Sequence, residues 1–466
     1  MNRRSFLNQF AYGMGGFALY DLLAQDGYAA IANPLAPKQP HFPGKAKSVI
    51  FMFMEGGPSQ MDLFDPKPGL QKWHGQSLPD SMTKDLQLAF IKKDAAVLAS
   101  PREFKPYGQS GIEFSDYIPH TAACADDICL VRSIHSEAFN HHPAQLFLFT
   151  GSTQFGRPTL GAWSLYGLGS ESQNLPGFVV LSSGVGTSGG ASNFASGFLP
   201  STYQGTPLRN SGDPILYLSN PEGITSAKQR ATLDALRDLN EQHYASTQDE
   251  EINSSISAYE LAYRMQSAGP ELVDFSGESK ETLEMYGIGK DPTNQFGTNC
   301  LMARRLVERG TRFVLMMHAS WDDHTNLNKK LKKNCDITDQ PTAALLKDLK
   351  QRGLLDSTLI VWGGEFGRTP MQEVRDTLDS ENAGRDHHPL AYSMWLAGGG
   401  IKGGQVIGKT DDLGFNIVEN KVHTHDLQAT ILHTMGFDHT KLTYRHMGRD
   451  FRLTDVAGNV VKQMLK

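Results

Sequence analysis

Short runs of apolar residues recur along the chain, and polar residues cluster at one end of each run. Residues 358–362 are rich in β-branched side chains, are followed by two glycines and lead to Glu365. Residues 390–397 form a second run, and the polar residues just before it are Arg385, Asp386, His387 and His388. Continuous apolar runs of this length predict strands buried on both faces of a sheet, and ligands bind at the edges of such sheets.

The same pattern predicts further strands that alternate with helices. The additional strands are expected at residues 48–54, 128–134 and 312–317. Apolar residues at helical spacing, with proline or capping residues before them and glycine after them, predict helices as follows: two within 226–266, then one each at 299–309, 341–352 and 424–435. Alternating strands and helices are typical of an α/β fold with a parallel sheet.

The amino-terminal segment has the features of an export signal. Arg3 and Arg4 precede a weakly apolar, glycine-rich stretch at residues 10–24, and residues 30–32 offer a small-x-small cleavage site. We interpret residues 1–32 as a Tat signal peptide, so the Tat translocase is an expected partner and the mature chain is expected to carry no transmembrane anchor. The alternative is a chance arginine pair.

The rest of the chain is predicted to form one domain. Residues 33–46 form a proline-rich linker, and residues 47–466 form a single α/β domain. Residues 66–111 and 182–212 are rich in glycine, proline and polar residues, and they predict loop insertions with little core of their own.

Composition excludes some partners and leaves the cysteines undecided. The 44 basic and 50 acidic residues give a net charge of −6, so no broad basic surface for nucleic acid is expected. A hydrophobic content of 39% is ordinary for a globular protein. Cys124 and Cys129 are close enough in sequence to form a small disulfide after export, and unpaired buried thiols are the alternative.

Five predicted strand ends carry groups that bind cations or act in catalysis. In chain order these groups are Ser59 with Asp62, His141 with its neighbours, Asp322 with His324, Glu365, and Asp386 with His387. Carboxylates and imidazoles are the ordinary protein ligands of divalent cations, and strand ends share one edge of a parallel sheet. We therefore expect Asp322, His324, Glu365, Asp386 and His387 to approach one another. The alternative for His387 and His388 is simple hydrogen bonding at a strand entry.

Two of these groups carry local structural expectations. Ser59 follows a glycine turn, where it is either the N-cap of a short helix or a nucleophile. His141 precedes Pro143, which predicts a helix beginning near Ala144 and leaves the histidine in a loop.

Several motifs together resemble the bacterial domain-of-unknown-function family 1501, Tat-exported proteins related to the alkaline phosphatase and sulfatase superfamily. The matching segments lie at residues 56–68 (GGPSQMDLFDPKP), 139–144 (FNHHPA), 321–324 (WDDH), 364–370 (GEFGRTP) and 384–387 (GRDH). The resemblance extends from residue 47 to the carboxyl terminus. It implies a three-layer α/β/α fold with a mainly parallel central sheet, alkaline-phosphatase-like, and one or two divalent metals at the sheet edge.

The resemblance also implies roles for individual residues. The implied catalytic group is Ser59, Asp62, His141 and Arg385, and the implied metal ligands are Glu55, Asp322, His324, Glu365, Asp386 and His387. Two departures from the superfamily pattern stand out. No cysteine begins a sulfatase formylglycine motif, and only one residue separates Asp322 from His324.

The expected function is hydrolysis of phosphate or sulfate esters, on a small molecule or a polysaccharide outside the cytoplasm. The expected cofactor is a divalent metal ion, with zinc, calcium, magnesium and manganese all open. The alternative is a catalytically inactive envelope protein that uses the same fold for binding or assembly.

Overall fold

The computed structural model describes residues 33–83, 88–209, 215, 218–373 and 382–466. The expected signal peptide at 1–32 lies outside these residues. The strands are β1 (Ser48–Glu55), β2 (Phe104–Tyr107), β3 (Ile112–Ser115), β4 (Ile128–His135), β5 (Phe178–Ser183), β6 (Thr206–Leu208), β7 (Phe313–Ala319), β8 (Thr358–Gly363), β9 (Gly367–Glu373), β10 (Gly384–His388), β11 (Tyr392–Gly398), β12 (Gln405–Ile407), β13 (Lys409–Thr410), β14 (Ile417–Glu419), β15 (Val422–His423), β16 (Tyr444–His446) and β17 (Arg449–Phe451).

Helices occupy most of the connections between the strands. They are α1 (Gln60–Leu63), α2 (Asp80–Thr83), α3 (Pro119–Ala122), α4 (His141–Thr150), α5 (Leu160–Leu168), α6 (Ser226–Thr247), α7 (Glu250–Val273), α8 (Lys280–Met285), α9 (Asn294–Glu308), α10 (Leu327–Gln351) and α11 (Thr424–Thr434). The helix expected at 341–352 is the second half of α10, which contains Pro341. Proline removes one backbone donor, but the buried apolar face of α10 holds the helix together across that position.

Nine strands of the described chain form one mostly parallel sheet, in the order β12-β4-β11-β8-β1-β7-β5-β6 with β15 beside β4. Strands β5, β6, β7, β1 and β8 are parallel, whereas β11 is antiparallel to both β8 and β4. Because β11 is reversed, the residues before it lie at the same edge as the residues after β1, β4, β7 and β8. The reversed direction of β11 therefore places residues near 387 beside residues near 322.

The two faces of the sheet are covered by different helices, giving three layers. Along β1, side chains alternate between two apolar clusters, with Phe51 and Phe53 on one side and Ile50 and Met52 on the other. The first cluster includes residues of α4, α5 and α11, and the second includes residues of α9 and α10. Buried strands with this alternation confirm the predicted α/β/α class.

Three segments contain more regular structure than the sequence pattern predicted. Residues 384–388, the polar residues before the second apolar run, form a strand, because β10 pairs with β9 in an antiparallel hairpin at the sheet edge. The 66–111 insertion has a small apolar core, in which Leu70, Leu78 and Val97 pack with Met371 of β9. The 182–212 segment contains β6, whose pairing with β5 extends the main sheet.

The remaining structural facts concern the cysteines and membrane spans. Cys124, Cys129, Cys300 and Cys335 are all buried free thiols, so the small disulfide does not form. Among the described helices, none combines the length and apolar character needed to cross a bilayer.

Candidate metal centre

The loop after β7 brings Asp322 and His324 to the sheet edge beside the end of β1. The backbone N–H of Trp321 donates to the carbonyl of Glu55 at 3.0 Å, which continues the contact between the two strands. Gly56 makes this approach possible, since its φ is +114° and a Cβ there would lie 2.4 Å from the Asp322 nitrogen. A side chain at position 56 would therefore displace the loop.

His387 and His141 reach the same place from other elements. His387 lies on β10, and the β9–β10 hairpin contacts the β7 loop so closely that Gly384 leaves no room for a Cβ beside Asp323. His141 is not in a loop as expected. It occupies the first turn of α4, because α4 begins directly after Asn140, two residues before Pro143.

The side chains of His141, Asp322, His324 and His387 converge on one point. Their potential ligand atoms all lie within 4.8 Å of one another. Oδ1 of Asp322 is 3.2 Å from Nε2 of His141, 2.9 Å from Nε2 of His324 and 3.6 Å from Nε2 of His387. The Nε2 atoms of His324 and His387 are 3.0 Å apart.

Each imidazole in this cluster has its Nδ1 engaged by an acceptor. Nδ1 of His387 lies 2.7 Å from the carbonyl oxygen of Phe139, and Nδ1 of His141 lies 2.6 Å from Oε1 of Glu365. Nδ1 of His324 contacts the carboxylate of Glu373. A carbonyl oxygen can only accept a hydrogen bond, and so can an ionised carboxylate, so each Nδ1 atom carries a proton. In a neutral ring the lone pair is then on Nε2, and it points towards the centre of the cluster.

This arrangement fits a bound cation. Histidines that bind metals usually donate their other ring N–H to a carboxylate or a carbonyl. Four ligands about 2.0–2.1 Å from a tetrahedral ion lie roughly 3.3 Å apart, close to the separations in the cluster. Nε2 of His141 is also buried without a hydrogen bond among the described residues, because its contact with Asp322 lacks hydrogen-bonding geometry. A cation would satisfy that atom and relieve the opposed lone pairs of His324 and His387.

The electrostatics of the cluster favour positive charge. Burial lowers the pKa of His141, but the contact with Asp322, the hydrogen bond with Glu365 and the charges of both carboxylates outweigh burial and raise this pKa to about 9. Burial works to raise the pKa of Asp322, yet its histidine contacts and Arg368 hold it well below the ordinary range. Burial keeps the pKa of His387 lowered. Without a cation the cluster holds protons, which a metal ion would displace.

Glu55 and Glu365 form a second acidic group beside His141. The parallel register pairs Phe53 with Gly363, so Glu55 at the end of β1 and Glu365 just after β8 lie at matching positions of neighbouring strands. Oε1 of Glu55 accepts from Nε2 of Gln145 at 3.0 Å, and the backbone N–H of Gly56 donates to Glu365 at 3.2 Å. Burial, followed by the charge of Glu365, raises the pKa of Glu55. Glu55, Glu365 and His141 have potential ligand atoms within 4.8 Å.

Three residues predicted as catalytic lie in a buried network instead of presenting free groups. Ser59 precedes α1 without capping it, and its Oγ donates to Oδ2 of Asp62 at 2.5 Å. Nε of Arg385 donates to the same oxygen at 2.9 Å, and both charged side chains are fully buried. Ser59 therefore occupies the N-cap position of α1, but its hydroxyl accepts no backbone N–H and instead donates to the Asp62 carboxylate.

Asp386 points away from the main cluster. Its Oδ2 accepts the backbone N–H of Phe90 at 2.7 Å and that of Ile91 at 3.1 Å, so it anchors the 66–111 insertion. The pairing of β10 with β9 is irregular between Arg385 and His387, where Asp386 lies, so the Asp386 side chain is placed apart from that of His387. Asp386 still lies within 4.8 Å of potential ligand atoms of His324 and Glu373. His388 has a structural contact, with Nε2 2.8 Å from the carbonyl of Phe415.

Sequence reasoning assigned no role to Arg368 and did not find Glu373. The fully buried guanidinium of Arg368 donates to the carbonyl of Gly57 at 3.0 Å and to Oδ1 of Asp322 at 2.6 Å. Glu373 ends β9 and orients His324. Arg368 lies in the 364–370 segment that carries the family resemblance, which was a signal for it, whereas Glu373 lies outside the matching segments and its local pattern does not reveal burial.

These features define an α/β protein with a candidate cation site at the carboxyl edge of a mostly parallel sheet. The chain belongs to the family described as Protein of unknown function (DUF1501), which matches residues 46–465. This match confirms the resemblance drawn from the motifs. No curated protein matches the chain significantly.

Solved structures similar to this chain include members of the alkaline phosphatase and sulfatase superfamily. The lipoteichoic acid synthase LtaP from Listeria monocytogenes has 7% identity over 88% of this chain and 78% of that chain, with a TM-score of 0.35. The alkaline phosphatase from the Antarctic bacterium TAB5 has 11% identity over 86% and 100%, with a TM-score of 0.34. The PsFucS1 sulfatase from Pseudoalteromonas sp. has 13% identity over 90% and 70%, with a TM-score of 0.37.

Proposed function

We propose that His141, Asp322, His324 and His387 bind a divalent cation. The observation that carries this proposal is the convergence of three Nε2 atoms on the Asp322 carboxylate, with each Nδ1 fixed by an acceptor. Three imidazoles and one carboxylate suit a borderline ion such as zinc better than calcium or magnesium, which prefer oxygen ligands. Zinc is therefore our first choice, and manganese is the second.

We propose further that the protein hydrolyses phosphate or sulfate esters after export by the Tat route. A divalent cation at this site would stabilise charge on a phosphoryl or sulfuryl oxygen and activate water at neutral pH. The Asp322 side chain is 44% exposed, so a ligand reaches the cluster from solvent. Arg368 fixes the Asp322 carboxylate, and Glu365 and Glu373 orient two of the imidazoles.

We assign Ser59, Asp62 and Arg385 a supporting role in this proposal. A hydroxyl bound to a fully buried, paired carboxylate is not presented to a ligand, and Ser59 is only 2% exposed. Water is then the proposed attacking group. The same burial favours the alternative that the protein binds an anionic ligand without hydrolysing it, because a superfamily-type nucleophile is not presented.

Metal analysis and ester hydrolysis together test the proposal. The purified chain is analysed for bound metals, and its rates on p-nitrophenyl phosphate and p-nitrophenyl sulfate are measured beside those of Asp322→Ala. We expect about one equivalent of cation in the wild type, and at least about a 100-fold loss of rate and a loss of metal in the variant. His142→Ala is the matched control, because that neighbouring ring packs on Phe155 outside the cluster.

Three outcomes separate the possibilities. A wild-type protein that takes up no cation when supplied with zinc or manganese overturns the site. Full metal content with no hydrolysis of either ester supports the binding-protein alternative. If Asp322→Ala and His142→Ala lose metal and hydrolysis rate equally, the substitutions act by disturbing the fold and not by removing a metal ligand.

A further inference from the structure

A cleft of about 410 Å³ lies beside the proposed cation site and shares Asp322 with it. One wall is the end of β7 with the residues that follow it, including Ser320. The opposite wall is one face of α10, formed by Lys330, Lys333 and Ile337 at helical spacing. Small-molecule sites have volumes of roughly 300–1,000 Å³, so the cleft has room for more than a single ester group.

The two lysines of this cleft have no carboxylate partner within the described residues. Nζ of Lys330 donates to Oγ1 of Thr325 at 3.2 Å, and its charge acts on the buried Asp323 carboxyl without an ion-pair contact. Lys332, on another face of the helix, contrasts with them because it forms an ion pair with Asp336. In a chain with a net charge of −6, two lysines without a carboxylate ion pair, beside the proposed cation site, focus positive potential on the cleft.

The position of these lysines disfavours a purely structural role. They belong to a run of basic residues in the first two turns of α10, namely Lys329, Lys330, Lys332 and Lys333, and the first turn contains no acidic residue. The amino end of a helix carries partial positive charge, so stability alone would favour carboxylates there. Residues that break a local rule without a compensating contact are typical of functional sites.

We propose that Lys330 and Lys333 bind a second anionic group of the substrate, so that the protein acts on molecules with at least two anionic groups. This inference rests on the proposed function, since the scissile ester must lie at the cation site. The second group is a phosphate or a sulfate, which lysine binds as a point charge without distinguishing their geometry.

Binding of matched ligand pairs to the zinc-loaded protein tests this proposal. Titration calorimetry compares fructose 1,6-bisphosphate with fructose 6-phosphate, and a disulfated with a monosulfated disaccharide. We expect the second anion to lower the Kd by roughly tenfold in the wild type, and the ratio of the two Kd values to fall to about one in Lys330→Gln/Lys333→Gln. The control Lys329→Gln/Lys332→Gln removes the same charge from outside the cleft and is expected to keep the ratio.

The outcomes distinguish this proposal from the proposed function. A ratio near one in the wild type, or an equal loss in both double variants, overturns the cleft assignment. A gain seen only in the phosphate pair or only in the sulfate pair supports the cleft and identifies the anion. If the probes with one anionic group, fructose 6-phosphate and the monosulfated disaccharide, bind Asp322→Ala as well as wild type, this counts against the proposed function. The ratio of Kd values still reports on the lysines.

Discussion

Arg368 shows how one buried residue connects the sheet edge to the candidate site. Its guanidinium contacts the carbonyls of Gly57 and Arg385 and the carboxylate of Asp322, and its side chain is fully buried. A buried charge is stable only when it is paired and hydrogen-bonded, and the planar guanidinium reaches several acceptors at once. Arg368 therefore fixes the position of the Asp322 carboxylate, which also contacts the three histidines.

Ser59→Ala tests whether the buried hydroxyl is structural. Losing its hydrogen bond to the Asp62 carboxylate is expected to cost about 2 kcal/mol of unfolding free energy, because the acceptor is charged and fully buried. Metal content and turnover per folded molecule should stay unchanged. Chemical denaturation measures the first quantity, and metal analysis with an ester assay measures the others.

Ser136→Ala is a suitable control for that experiment, since Ser136 is buried and its hydroxyl has no hydrogen bond among the described residues. Its stability should change little. If Ser59→Ala kept its metal but lost several orders of magnitude in rate, Ser59 would be the nucleophile and its supporting role would be rejected.

At the scale of elements, the sequence predicted the strands well because their apolar runs are continuous. Strands β1, β4, β7 and β8 all fall within a few residues of the predicted ranges. The β9–β10 hairpin was missed, because its residues are mostly polar yet buried by contacts with the β7 loop and the 66–111 insertion. Local pattern cannot report burial that comes from distant segments.

The sequence likewise predicted only part of the candidate site correctly. Asp322, His324 and His387 meet as expected, because strand ends share an edge. Asp386 and Arg385 were grouped with them by proximity in sequence. Side-chain direction along β10 sends Asp386 to the insertion and Arg385 to Asp62, and direction becomes known only once the strand is recognised.

Gly384→Ala tests the contact between the hairpin and the β7 loop. A Cβ at this position would lie 2.1 Å from the carbonyl oxygen of Asp323 and 2.2 Å from the carbonyl carbon of His324. Either the loop or the hairpin must move, so we expect at least a tenfold loss of zinc affinity, of the size seen when residues that orient ligands are removed. Competition with a chromophoric chelator measures the affinity.

Gly353→Ala is the control for this variant. Gly353 has a φ of +69° and nothing within 4 Å of a Cβ, so the substitution should cost about 1 kcal/mol of stability and leave zinc affinity unchanged. An unchanged zinc affinity in Gly384→Ala would mean that the β9–β10 hairpin does not hold the β7 loop in place. The hairpin would then not be what positions Asp322 and His324.

Across the whole molecule, the sheet and its two helical layers form the support for the site. The four parallel strands β8, β1, β7 and β5 are buried on both faces over most of their length, and helices of both layers pack against them. His318 is an exception within this apolar framework. It lies at the end of β7 on the α9 side, 3% exposed, where its ring meets Phe296 and Nδ1 lies 2.9 Å from Oγ of Ser183.

The burial of His318 predicts acid sensitivity of the whole domain. Burial lowers the pKa of His318 from its ordinary value of 6.5 to about 4. A group with a lowered folded pKa contributes its full stability above 6.5 and loses it as the pH falls towards 4, because the unfolded chain takes up the proton first. The contribution is roughly 3 kcal/mol at neutral pH. The buried His388, whose pKa is also lowered, acts in the same direction, whereas His141 and His324, whose pKa values are raised, act in the opposite direction. The difference between wild type and His318→Gln therefore isolates this residue. Denaturant unfolding at pH 7.5, 6, 5 and 4.5 should show the wild type losing more stability than the variant over this interval. Parallel curves for the two proteins would overturn this assignment, because they would mean that folding does not lower the pKa of His318.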